Sequence, residues 1–140
     1  MWTIAQAKNR RCDVLLSQDI TIAAKTARES PQVNALHILP GTVAILLVLF
    51  RYGSGNLCGV RIKHAEVQRW PYVPGEWIPS SAYLYEFAEE LVIDQEPFDL
   101  DIETYNLDDT FDHHVWIAVV VRNVIDNENV RWLKEQLEIG

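Results

Sequence analysis

The triplet Asp112-His113-His114 holds the side chains of this chain best suited to acid–base or metal chemistry. Imidazole and carboxylate groups bind zinc and act as general acids and bases. Two adjacent His side chains on an extended segment point to opposite faces, so they cannot easily share one ion. No pairing with His64 or Cys58 has the spacing of a zinc motif. We predict no metal site and no cofactor. A small metal-dependent hydrolase or nucleotide-modifying enzyme using His113, His114 and nearby acids stays an alternative.

Residues 98–103 form a second candidate, because apolar and acidic side chains alternate there. The acids resemble half of a calcium loop, but threonines stand where that loop needs glycine and a bidentate glutamate. The period-2 pattern predicts a half-buried strand whose water-facing carboxylates, Asp99, Asp101 and Glu103, are about 6.5–7 Å apart. Such a row could imitate a phosphate backbone or meet an Arg/Lys patch of a protein. The alternative is a solvated edge strand that uses charge against aggregation.

Motifs for nucleophilic catalysis and phosphate binding are absent from the sequence. Cys12 lies beside two arginines, which would lower the pKa of an exposed thiol. With Cys58 it is expected to be a free thiol in a reducing compartment. The segment Gly53-Ser54-Gly55-Asn56 lies between two predicted strands and therefore predicts a hairpin turn rather than a phosphate loop.

Charge is distributed very unevenly along the chain. Residues 70–121 contain twelve acids and no Lys or Arg, whereas residues 1–69 carry nine basic and four acidic side chains. The formal net charge of the whole chain is −8. Such a field repels nucleic acids and anionic membrane surfaces and attracts basic protein surfaces. The chain is therefore not expected to bind nucleic acid or membranes directly.

The periodicity predicts an α+β fold in a single domain. Strands at 42–52 and 115–124 are apolar on both faces, which is typical of central strands in a sheet covered on both sides. Helical spacing of apolar residues predicts helices at 18–29, 80–93 and 126–138. A mostly antiparallel sheet of four or five strands packed against these helices is the expected architecture.

Size and hydropathy predict a protein without membrane segments. A chain of 140 residues is expected to form one domain. No signal peptide is recognisable at Met1, and the longest apolar run, 43–50, falls far short of the about 20 residues that a membrane span needs. We expect a soluble, cytoplasmic protein.

Several tryptophans stand where exposure would suggest a protein interface. Trp70 and Trp77 lie in the proline-rich loop 70–79, and the favoured interpretation folds this loop over a sheet face. Trp132 lies opposite the apolar stripe of the last predicted helix, so it is either exposed or covered by a neighbouring element. Exposed Trp side chains often anchor interfaces.

The leading hypothesis is a small acidic binding protein that docks on a basic surface of a partner protein and blocks it. An immunity protein against a toxin, or a phage inhibitor of a nucleic-acid-binding protein, would have this charge pattern. A dimeric chaperone or assembly subunit is a further alternative. The residues predicted to contact the partner are acids of the 70–121 block and two tryptophans: Asp99, Asp101, Glu103, Asp108, Asp109, Asp112, Glu86, Glu89, Glu90, Trp77 and Trp132.

Overall fold

The described part of the chain consists of β-strands. The computed structural model describes the backbone from residue 11 to residue 125 and the side chains from residue 13 to residue 122. Within these limits there are ten strands and no helix. The strands are β1 (Arg11–Ile22), β2 (Gln32–His37), β3 (Gly41–Phe50), β4 (Cys58–His64), β5 (Val67–Trp70), β6 (Ile78–Pro79), β7 (Leu84–Phe87), β8 (Leu91–Ile93), β9 (Asp99–Asn106) and β10 (His113–Ile125).

The strands form two five-stranded antiparallel sheets. Sheet A has the order β1-β10-β3-β7, with β8 also pairing with β3, and sheet B has the order β2-β9-β4-β5, with β6 also pairing with β4. The pairings are nested: β1 pairs with β10, β2 with β9, β3 with β7 and β8, and β4 with β5 and β6. A long antiparallel ribbon wound into two sheets in this order has the topology of a jelly roll.

The inner faces of the two sheets form one hydrophobic core. Alternation along each strand directs every second side chain inward, as at Leu46, Val48 and Phe50 of β3. Sheet B contributes Leu100 and Ile102 from β9, which are fully buried. Aliphatic and aromatic side chains therefore fill the space between the sheets.

The prediction of an α+β fold is wrong, and two of the three predicted helices are absent. Residues 18–29 comprise the end of β1 and the turn that follows it, and residues 80–93 contain β7 and β8. The third, at 126–138, lies outside the described residues. Residues spaced by four share a face in a strand as well as in a helix, so Leu16 and Ile20 both face inward from β1. No described segment is a helix that could cross a membrane.

The strands predicted from apolar runs are present, but one connection differs. The predicted central strands at 42–52 and 115–124 correspond to β3 and β10, which are neighbours in sheet A. The predicted hairpin turn at 53–56 is wrong, because β3 belongs to sheet A and β4 to sheet B. These residues instead belong to a loop that crosses between the sheets, with positive φ at Gly53 and Gly55.

Candidate functional site

The row of carboxylates on β9 lies in the middle of sheet B. β9 pairs with β2 on one side and β4 on the other, so it is a central strand rather than an edge strand. Arg61 of β4 stands directly opposite Glu103, and its Nε donates a hydrogen bond to Oε1 over 2.7 Å. Lys63 Nζ lies 3.1 Å from Oε2 of the same carboxylate. Basic side chains from outside the acidic block thus neutralise Glu103.

The three carboxylates of this row have different environments. Burial acts to raise the pKa of Glu103, but hydrogen bonds from Arg61 and Lys63 and their positive charges outweigh it, so the pKa lies below its ordinary value. Asp99 pairs with the imidazole of His37 on β2. Asp101 lies between them and is partly exposed. Asp99 and Asp101 therefore stay accessible to a partner, whereas Glu103 is largely engaged within the sheet.

Trp77 belongs to an aromatic and cationic cluster on the outer face of sheet B. Its ring meets Tyr105 edge to face, with centroids 4.8 Å apart, and the Arg61 guanidinium lies 4.2 Å above the Trp77 ring. Arg28 lies 4.7 Å above the Tyr105 ring. Each of these contacts contributes about 0.5–1.5 kcal/mol. Trp77 is thus half-buried by its own neighbours, and Trp70, which ends β5 rather than lying in the predicted loop, is buried in the core.

Asp108 and Asp112 hold together the loops at one end of the sandwich. Asp108 accepts hydrogen bonds from the amide of Thr110 and from Nε2 of His113, which together with other contacts lower the pKa of its carboxyl. Asp112 accepts a hydrogen bond from the amide of Ala24 over 2.8 Å. These contacts give both acids a structural role. Asp109 is exposed at the tip of the same loop.

The two adjacent histidines point to opposite faces of β10, as the extended segment predicts. His113 is half-buried against Asp108, and His114 is exposed, with Nδ1 3.1 Å from the hydroxyl of Thr21. Among the described residues, no three His, Cys, Asp or Glu side chains are placed to hold a metal ion. Cys58 is fully buried, and burial, reinforced by the charge of Asp108, raises the pKa of its thiol to about 11. A thiol in this state is a poor nucleophile.

The remaining predicted acids follow the edge of sheet A. Glu86 lies on β7, and Glu89 and Glu90 lie in the short connection to β8. All three are exposed. Among the described residues, β7 pairs with β3 and with no other strand, so this part of the acidic block borders an open sheet edge. The nine acids predicted to contact a partner therefore divide among three places and do not form one face.

The outer face of sheet A is apolar, as the apolar runs of its strands predict, but no helix among the described residues covers it. The inward side chains of β3 and β10 are fully buried, whereas the alternate ones point away from sheet B. Leu15 of β1 and Leu84 of β7 extend this surface across the sheet and are 61% and 52% exposed. We call this surface the outer face of sheet A; its large apolar side chains are Leu15, Ile45, Leu47, Leu49, Leu84, Trp116 and Val120.

The signal for this surface was present in the sequence. Continuous apolar runs in β3 and β10 predict apolar side chains on both faces, and helices were expected to cover the second face. No strand among the described residues lies over it. Of the residues predicted to bind a partner, Glu86 lies beside this face, and Trp132 lies outside the described residues.

Sequence comparisons do not assign these surfaces to a known family. The jelly-roll topology occurs in proteins of many unrelated functions, so it selects none of them. The chemistry of the surfaces described above therefore carries the functional inference. No protein-family model matches the chain, and no curated protein matches its sequence.

Proposed function

We propose that the protein is a non-catalytic binding protein that docks through the outer face of sheet A and its acidic border on a basic surface of a partner protein. The observation that carries this proposal is the group of seven large apolar side chains on that face. Leu15 and Leu84 are exposed and the other five side chains are partly exposed. Large contiguous apolar surfaces on a folded protein mark interaction sites. Desolvating this surface would supply the favourable free energy of docking.

The border of the face supports a basic partner. Glu86 stands opposite Leu47 in the sheet register, and Glu89 and Glu90 follow within the same edge segment. An apolar centre with a charged rim is the usual anatomy of a protein interface. The net charge of −8 would also accelerate encounter with a basic protein. A toxin or a nucleic-acid-binding protein in the cytoplasm, blocked by an immunity-like or phage-inhibitor-like protein, fits this chemistry.

The row on β9 has a smaller part in this proposal than its regular spacing suggests. Arg61 and Lys63 compensate Glu103, and the row belongs to sheet B, on the side of the sandwich away from the apolar face. Asp99 and Asp101 therefore contribute to the long-range field and to the rate of encounter. We assign the part of the interface that loses water on docking to the outer face of sheet A.

The test uses three proteins as bait in an extract of the source organism: the wild type, a double variant and a single variant that serves as control. Leu47→Thr/Leu49→Thr removes apolar surface from the outer face of sheet A, and Val33→Thr removes an exposed apolar side chain from the outer face of sheet B as the matched control. We expect the wild type and the control to retain the same basic protein, less of it as salt rises, and the double variant to lose it.

Two results would contradict the proposal. Retention of the same proteins by the double variant would remove the outer face of sheet A from the interface. A wild-type dimer in light scattering that dissociates in the double variant would show that a second copy occupies the face, as in the dimeric assembly subunit considered above.

A further inference from the structure

The outer edge of β7 pairs with no other strand among the described residues. The amide of Phe50 donates to the carbonyl of Tyr83 over 2.9 Å, and the register continues with Val48 opposite Tyr85. Hydrogen-bonded and non-hydrogen-bonded pairs alternate in an antiparallel ladder. The N–H and C=O groups of Leu84 and Glu86 therefore point away from β3. Within residues 11–125 no strand pairs with them.

An open pocket adjoins the start of this strand. It has a volume of about 400 Å³ and lies between the loop after β3 and the residues that precede β7. Phe50 forms part of its wall, and the rings of Tyr52 and Tyr83 stand at its rim, both exposed to solvent. Its lining combines three aromatic rings and Ala82 with Arg51, serines and glycines, and the aromatic part suits a large apolar side chain.

Charge identifies the occupant of the edge. Residues 83–96 contain five acids and no Lys or Arg. The side chain of Glu86 projects on the same face as that of Leu84, so a residue paired with Glu86 on an added strand would lie beside a carboxylate. A Lys or Arg at that position is favoured, and an acid is rejected.

We propose that β7 accepts an extended basic segment of the partner as an added strand, with an apolar side chain at one end of the segment in the pocket beside Tyr83. Main-chain hydrogen bonds to an edge strand supply affinity, and the side-chain pocket and the acids supply selectivity. This inference rests on the proposed function, because the segment belongs to the partner that docks on the outer face of sheet A. It specifies the backbone conformation and the charge of the partner at the β7 border of that face.

The probe is a synthetic peptide in which Lys alternates with Val and which ends in Phe. We expect it to shift the amide resonances of Leu84, Glu86 and the pocket residue Ala82 in the full chain. The same peptide with Glu in place of Lys, or with alternate backbone nitrogens methylated, is expected to leave these resonances unchanged. Shifts confined to other surfaces, or no shift at β7, would overturn the proposal.

Matched substitutions on β7 separate the backbone contribution from the side chain. Leu84→Pro removes an N–H that points to the free edge and leaves the bonds to β3 intact, as tolerated in edge strands. Leu84→Ala removes a similar amount of side chain and keeps the N–H. We expect the proline variant to bind the peptide about tenfold more weakly than the alanine variant. Equal binding would refute strand addition, and the methylated peptide gives the same answer if the proline variant does not fold.

The pocket is tested separately by Ala82→Trp, which places an indole at its wall. We expect this variant to bind the peptide that ends in Phe more weakly than the wild type does. Its affinity for a peptide that ends in Gly should be unchanged. An equal loss of affinity for both peptides would show that the pocket does not bind the terminal side chain.

The two proposals fail in different ways. A captured partner that is lost from Leu47→Thr/Leu49→Thr but retained by Leu84→Pro would refute strand addition and keep docking on the outer face. A partner retained by the outer-face variant would refute the proposed function whatever the peptide does.

Discussion

Arg61 and Glu103 lie directly opposite each other on β4 and β9, with the Arg61 Nε donating to Glu103 Oε1 over 2.7 Å. The pair is largely shielded from water, and Lys63 contacts the second carboxylate oxygen. A charge held in this way by two cations stabilises sheet B while it is ionised, and its removal would leave two cations without their partner.

Glu103→Gln is expected to lower the free energy of unfolding at neutral pH by about 1–3 kcal/mol. The folded pKa of Glu103 lies below the usual 4.5, so its contribution is present above that value and is lost as pH falls through the folded pKa. The difference between wild type and variant in urea unfolding should therefore shrink below about pH 4. A difference independent of pH would contradict the assignment to the ionised pair.

Gly59→Ala is expected to destabilise the protein by about 1–3 kcal/mol, because its new methyl group has no room. A Cβ at position 59 would lie 2.6 Å from Cζ of Tyr105, whose ring covers this glycine on the outer face of sheet B. In a Tyr105→Ala background the same change should be neutral or mildly stabilising, since glycine is unfavourable within a strand. Thermal unfolding of the two single variants and the double variant measures the coupling. Additive effects would show that the ring does not constrain position 59.

The strands β3, β9 and β10 were predictable from the sequence, and the predicted helices at 18–29 and 80–93 were wrong for an identifiable reason. Continuous apolar runs mark β3 and β10, and strict alternation marks β9. Phe87 and Leu91 are spaced by four, and both pack against the core from β7 and β8. A spacing of four places two side chains on the same face of a helix and also on the same face of a strand. The break between β7 and β8 is what distinguishes two strands from one helix, and local periodicity does not reveal this break.

The sequence did not show how the candidate site is arranged, because its contacts join residues that are far apart in the chain. The cations that neutralise Glu103 come from β4, about 40 positions earlier, and only the register of β9 against β4 brings them together. The turn between β4 and β5 has positive φ at Ala65 and Glu66, residue types that rarely signal such a turn. The charge of the 70–121 block was therefore evident from the sequence, whereas the division of its nine predicted contact acids among three places was not.

The neighbours Leu46 and Leu47 on β3 offer a direct test of which face of sheet A is the core. Leu46 is fully buried between the sheets, and Leu47 lies on the outer face. Leu46→Ala should cost about 2–5 kcal/mol and Leu47→Ala about 1 kcal/mol or less in urea unfolding. Similar costs at the two positions would mean that something covers the outer face of sheet A in the isolated protein, which would weaken the docking proposal.

Cys58 is expected to be unreactive in the folded protein. Burial raises the pKa of its thiol to about 11, the charge of Asp108 adds to this, and a hydrogen bond with Ser54 opposes it. In a Cys12→Ser background, where Cys58 is the remaining cysteine of the chain, labelling by a thiol-specific disulfide reagent should be as slow as unfolding and become fast in urea. Because the folded pKa is raised, the thiol favours the folded state below the unfolded pKa of about 9 and ceases to do so as pH rises through about 11. Stability should accordingly fall between these values in this background and fall less when Cys58 is also changed to Ser. Rapid labelling at neutral pH without urea would show that the thiol is accessible and would contradict its place in the core.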